Sequence, residues 1–208
     1  MKPLRELFTE INKRIFNHRD GEIREMHKEY GATYKKSLGV PIVFLESIAS
    51  DYAPSHELAR LFWEFGGREQ TIMAAMLEEP DKVEVKELEA NILVANTPEL
   101  WEQITRQLLR RLPDIDSYIH RWLNDDEEVL HIFAILSLGY LPNLFSTHIL
   151  QSIMRIEVRK GSYLEKCMQR VLLKVGVRDK KVYQMMNQNL KMRTAYASLL
   201  QEIADFYE

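Results

Sequence analysis

The sequence predicts an all-α array of short helices, and three observations carry that prediction. Apolar residues recur at steps of three and four along nearly the whole chain. Gly and Pro fall at regular intervals that leave segments of about helix length. No stretch alternates apolar with polar residues as a half-buried strand would. The first helix is marked by Leu4, Leu7, Phe8, Ile11 and Ile15, with Pro3 where a first turn accepts proline. Breaks follow at Gly21, Gly31, Gly39 with Pro41, Pro54, Gly66 with Gly67, Pro80, Pro98, Pro113, Pro142, Gly161 and Gly176. Several carry start signals: Ser55 with Glu57, Thr97 before Pro98 and Glu99, Asp114 with Asp116, and Ser162 with Glu165 as a capping box. The most apolar window, Val129 to Leu141, reads as a buried helix. His131 and Ser137 interrupt it, and it is short of the ~18 residues a membrane span needs. Ala195, Leu199, Leu200, Ile203 and Phe206 mark a packed C-terminal helix. The count comes to roughly twelve helices.

Composition narrows the class. The chain has 208 residues, 46% of them hydrophobic and 28% charged, enough for one sizeable core, and the reading is a single domain over 1–208. The one cysteine, Cys167, excludes a disulfide framework and any zinc site built on several cysteines. Its neighbours Leu164, Met168 and Val171 give it a buried, apolar role. The six histidines show neither metalloprotease nor structural-zinc spacing, so no metal and no cofactor are expected. Glycine-rich phosphate loops and Gly-x-Ser-x-Gly elbows are absent. Lys2, Arg5, Glu6, Glu10, Lys13 and Arg14 break up the start, which therefore lacks a signal-peptide core, and a cytoplasmic location away from membranes is expected.

The net charge of -3 conceals a division. Between Glu46 and Gln103 stand thirteen acidic residues and four basic ones, whereas Arg155 to Arg193 holds eleven basic and three acidic. A segment so rich in Lys and Arg concentrates anions, and phosphate polymers are the commonest such partner.

Pairing successive helices gives units near the ~40-residue period of HEAT-type repeats, which stack into a solenoid whose inner surface usually does the work. Particular residues add to this. Tyr30 with Ser37-Leu38-Gly39-Val40-Pro41 resembles the N-terminal Tyr and Leu-Gly-(Ile/Val)-x-x-Pro segment of the DNA alkylation-repair family of HEAT-like-repeat glycosylases. Leu61-Phe62-Trp63 with Arg68-Glu69 and Ala74-Ala75 is similar to that family's second repeat. Leu93 to Trp101, Trp122-Leu123 with Asp125 and Ala134-Ile135-Leu136, and Glu165-Lys166 with Val171-Leu172 follow in order, so the likeness spans about residues 20 to 180.

The resemblance implies an α-solenoid that grips duplex DNA in its groove and, in active members, cleaves the glycosidic bond of alkylated purines, a reaction served by a carboxylate near the sugar and by aromatic rings on the substrate. Tyr30 and Trp101 retain the family's positions. Thr105 stands where active members carry their essential Asp, Arg170 replaces the second tryptophan, and Ile132 falls at a groove arginine. A neutral hydroxyl cannot stabilise a developing cation as a carboxylate does. Glu102, about 100 degrees round the helix from Trp101, is the nearest substitute, and a poor one. The expected function is DNA binding, with excision weak, altered in substrate or absent; an active chain would be a DNA glycosylase.

Lys166, Arg170 and Lys174 lie at steps of four and form one stripe, beside an apolar stripe of Tyr163, Leu164, Cys167, Met168, Val171 and Val175. Arg155 and Arg159 repeat the spacing on the helix before, so two helices could present a basic ridge to phosphates. Arg106 and Arg110 project 140 to 180 degrees from Trp101 on an ideal helix and are set aside. Trp63 and Trp122 read as core. A second reading, from a different class, is a non-catalytic scaffold that holds a protein partner on its acidic segment or inner face.

Overall fold

The computed structural model describes residues 2–190 and 196–208. Met1 and residues 191–195, which include Lys191 and Arg193 of the basic third and Ala195 of the C-terminal stripe, lie outside the described residues. Among the described residues there are thirteen α-helices and no strand, so the all-α class holds. The chain divides into two compact units, 1–113 and 114–208.

Unit 1 contains α1 (Leu4–Asn17), α2 (Gly21–Glu29), α3 (Ile42–Ser50), α4 (His56–Phe65), α5 (Arg68–Leu77), α6 (Val85–Leu93) and α7 (Pro98–Gln107). Its centre is α5, which packs against α3, α4 and α7. Helices covered on every side are usually apolar all round. In α5 only the last turns follow that rule: Ile72, Met73, Ala74, Ala75 and Leu77 are buried, but so are Arg68, Glu69, Gln70 and Thr71 in its first turn.

Unit 2 contains α8 (Ile115–Trp122), α9 (Glu128–Tyr140), α10 (Thr147–Ile153), α11 (Tyr163–Arg178), α12 (Lys180–Leu190) and α13 (Ala197–Tyr207). Here the central helix is the apolar window itself: in α9 Leu130 and every residue from Ile132 to Gly139 are buried between α8 and α11. Phe133 and Trp122 sit fully inside, their ring centroids 6.4 Å apart. Truncating such an aromatic costs about 3–5 kcal/mol.

The start signals form caps. The side chains of Ser55, Thr97 and Ser162 accept from the amides of Leu58, Leu100 and Glu165. The capping box at Ser162 is offset by one residue, because the Glu165 carboxylate reaches back to the Gly161 amide at 2.7 Å. Asp114 precedes α8 without a side-chain cap. Two sequence expectations need correction. Gly176 is no break: it lies inside α11, where a Cβ would stand 2.7 Å from Ile203 Cδ1, so its missing side chain lets α13 approach. Arg155 and Arg159 are not on a helix, since α10 ends at Ile153 and the next helix starts at Tyr163. Ile156 and Val158, both β-branched, disfavour helical continuation between them.

Candidate nucleic-acid interface

In unit 1 the first turn of α5 organises the segment between α2 and α3. Gly66 and Gly67 take positive φ (+67° and +103°), a turn that glycine makes at little cost and that starts α5 with its N-terminus against this segment. The Arg68 amide donates to the Lys36 carbonyl at 2.9 Å. The buried Glu69 carboxylate, 0% exposed, accepts from the Leu38 amide (3.0 Å), the Val40 amide (3.2 Å) and the Ser37 hydroxyl (3.4 Å). The Arg68 guanidinium, 2% exposed, donates to the Val40 carbonyl (2.7 Å), to Glu69 (2.8 Å) and through two nitrogens to Glu99 of α7 (2.7 and 2.5 Å). The Tyr34 hydroxyl donates to the same Glu99 carboxylate.

This fork satisfies charges that burial would otherwise penalise. Burial opposes the ionisation of Glu99, but Arg68 and the Tyr34 hydroxyl outweigh it and hold its carboxyl below the ordinary value. Burial and the Glu99 carboxylate push the Tyr34 phenol up to about 12. Burial, with Arg68 close by, lowers His27 and favours its neutral ring. The motif Leu38-Gly39-Val40-Pro41 is thereby given a structural purpose. Gly39, at φ +73°, lies so close to α2 that a Cβ would stand 2.0 Å from the Asp20 carbonyl oxygen.

The residues singled out on unit 1 are spread over two helices. Tyr30 caps the C-terminus of α2 with its side chain 84% exposed, whereas the tyrosine that meets α7 is Tyr34. Trp101 is half-buried, and its indole N–H donates to the Ala95 carbonyl at 2.7 Å. Thr105 is 0% exposed, with its hydroxyl donating to the Trp101 carbonyl at 2.8 Å. That hydroxyl is committed to the backbone of its own helix and is not offered to a ligand. Glu102 is half-buried on the same helix.

In unit 2, α11 has the two faces its spacing predicts: Leu164, Cys167, Met168, Val171, Leu172 and Val175 are buried, and Lys166, Arg170 and Lys174 are exposed. Lys174 lies over the Tyr140 ring, 5.1 Å from its centroid, and an Arg170 nitrogen is 3.5 Å from the Tyr163 hydroxyl. Lys166 and Arg170 line a cavity of ≈ 380 Å³ with Gln169, Leu173 and Tyr196. Arg159 is exposed in the irregular segment before α11, and Arg155 lines a different cavity, of ≈ 420 Å³, among Asp125, Asp126, Glu128 and Glu157. The ridge of two helices thus reduces to one helix. Ile132 is in the core of α9, and Trp122 is fully buried; Trp63 is only half-buried, its indole 3.4 Å from Glu78.

Much of the acidic excess between Glu46 and Gln103 is matched internally. Glu69 and Glu99 hold Arg68, Asp51 holds Arg14, Glu87 holds Arg60, Glu79 holds Lys82 and Glu46 holds Arg106. Glu78 meets His56 at 2.7 Å, and burial pushes its carboxyl up. Among the described residues no group of His, Cys, Asp and Glu could hold a metal ion, and no helix is long and apolar enough to cross a membrane.

Two exposed cations, Lys35 and Lys36, were not among the sequence candidates. They stand on the segment that Arg68 and Glu69 clasp, and line a cleft of ≈ 620 Å³ with Arg24, His27, Lys28 and Tyr34. The adjacent lysines between Gly31 and Gly39 were the available signal, but counting charge over long windows averages it away.

No family model matches this chain, and no curated protein matches it. Among solved structures, one from a new family of proteins related to the HEAT-like repeat DNA glycosylases, with affinity for branched DNA structures, matches at a TM-score of 0.71. The match covers 86% of this chain and 82% of the other at 14% sequence identity. At that identity the likeness is one of fold. The chain therefore has the fold of the HEAT-like-repeat proteins related to DNA glycosylases, the α-solenoid class that its sequence predicts.

Proposed function

We propose that the protein binds DNA through the exposed cations of α11 and does not excise bases. The observation that carries this reading is the stripe of Lys166, Arg170 and Lys174, solvent-facing on a helix whose opposite face is locked in the core. Cations fixed at one-turn spacing on a rigid element suit the repeating charge of a phosphate backbone. The affinity for branched DNA in the structurally similar family favours the same class of partner, and junctions join duplex as the preferred probe. Against excision stands Thr105, uncharged and tied to the Trp101 carbonyl where a catalytic carboxylate would be needed. Arg155, among carboxylates, is left out of the binding surface, and Arg159 lies at its margin.

Fluorescence anisotropy with a duplex and a four-way junction, across a salt series, tests this. Log affinity falls linearly with log salt, and replacing Lys166, Arg170 and Lys174 together by Ala reduces the slope by about 2–3, from ~0.9 per lost phosphate contact. An unchanged slope would overturn the assigned surface. Release of 7-methylguanine from alkylated DNA, abolished by Glu102→Gln, would overturn the non-excising part.

A further inference from the structure

Two of the unit 1 cavities, neither used by the α11 stripe, share Lys36 and Ser37 as a common wall. One is the cationic cleft of Arg24, Lys28, Lys35 and Lys36. Glu25 pairs with Arg24 (3.3 Å) and Lys28 (2.9 Å), but among the described residues neither Lys35 nor Lys36 makes an ion pair. The other is a largely apolar groove of ≈ 690 Å³, in which Phe8, Phe16 and Phe65 are the aromatic residues. Phe16 and Phe65 are each 49% exposed, a high value for rings of this size in an ordered helix. Each has a cation over one face, Arg19 at 4.2 Å from the Phe16 centroid and Lys36 at 4.8 Å from that of Phe65.

Cations thus line one side of the shared wall and rings the other, and the wall itself is fixed. The Lys36 carbonyl accepts from Arg68, a Cβ on Gly67 would meet Lys36 Cβ at 3.2 Å, and Glu69 holds the next residues through two amides. A buried ion network seldom adds net stability, so one spent on a surface segment argues for its positioning. A paired duplex exposes phosphates but keeps its base faces stacked. A single strand offers both phosphates and free base faces, and a cationic cleft continuous with half-exposed rings matches that pair of features.

We propose that this surface of unit 1 binds a single-stranded nucleic-acid segment, its phosphates on Lys35 and Lys36 and an unpaired base on Phe65 or Phe16. The proposal deepens the nucleic-acid reading above and rests on it for the class of partner, but it uses different residues, so the two fail separately.

The test is anisotropy of the full chain with labelled oligothymidylate of about 8 nucleotides, within the site size of one single-strand groove. The unsubstituted protein binds it. The pair Lys35→Ala and Lys36→Ala lowers the salt slope by about 1–1.5, at ~0.7 per single-strand phosphate contact. Phe65→Leu, which keeps the site apolar but removes the ring, weakens binding about fivefold or more. Phe16→Leu and Lys36→Glu serve as second variants should Phe65→Leu fail to fold, as circular dichroism would reveal. The Lys166, Arg170 and Lys174 triple variant retains oligothymidylate binding while losing duplex. Duplex binding without oligothymidylate binding would overturn this inference and leave the α11 reading standing. Oligothymidylate binding that none of these unit 1 substitutions alters would overturn it as well, as would a groove that takes an amphipathic helical peptide in preference to the oligonucleotide.

Discussion

Arg68 in unit 1 and the cations of α11 in unit 2 are alike in charge, yet the fold employs them in opposite ways. Arg68 is enclosed, with four hydrogen bonds from its guanidinium to Glu99, Glu69 and the Val40 carbonyl. Lys166, Arg170 and Lys174 stand exposed above an apolar seam, with Lys174 over the Tyr140 ring and Arg170 beside the Tyr163 hydroxyl. In the first case charge is structural: it ties α5, α7 and the α2–α3 segment together, and removing one partner strands the others in a desolvated site. In the second, charge lies at the surface and contributes little to folding. The comparison shows why a count of Lys and Arg says less about binding than where the fold puts them.

The largest break in that contrast is Arg68→Ala. With Glu69 and Glu99 left uncompensated, it costs about 3–5 kcal/mol in urea unfolding, and amide exchange at Leu38 and Val40 accelerates. Next is Gly39→Ala, which sets a side chain at φ +73° against the Asp20 carbonyl. That oxygen and the Arg24 amide nitrogen, which the Cβ would meet at 2.8 Å, are backbone atoms and cannot step aside, so a loss of about 2–4 kcal/mol is expected in the same measurement.

A smaller effect separates the carboxylates by pH. The folded value of Glu99 lies below its ordinary 4.5, so its stabilisation is present above that pH and is lost as pH falls through the folded value. Glu99→Gln is less stable at neutral pH and shows a shallower acid limb in stability measured against pH. Glu78, raised by burial, runs the other way: its contribution is present below 4.5 and is lost as pH rises through the folded value. The smallest effect is on the exposed side of the comparison. Each alanine at Lys166, Arg170 or Lys174 changes unfolding free energy by less than ~0.5 kcal/mol, while the salt dependence of DNA binding changes. A large loss of stability in the triple variant would show that the stripe, too, is structural.

The candidate site was only partly legible beforehand. The stripe on α11 could be read because its two faces differ in residue type at the period of the helix itself. Arg155 and Arg159 share the four-residue step but not the helix, and spacing alone cannot reveal that the chain leaves helical geometry at Met154. The lysines on the α2–α3 segment have no periodicity to mark them. Their presentation depends on Gly67 and Arg68, more than thirty residues further along.

The sequence by itself determined the helical class, the caps at Ser55, Thr97 and Ser162, the burial of α9, the two faces of α11 and the buried place of Cys167. These follow from signals that act within a turn or two, where hydrogen bonds and side-chain direction are local. Only the tertiary structure decided that Arg68 and Glu69 are interior, that Gly176 is a helix contact and that Lys35 and Lys36 line a cleft. Arg68 finds Glu99 31 residues on and Val40 28 residues back, and whether a charge is buried depends on partners that no local pattern brings together.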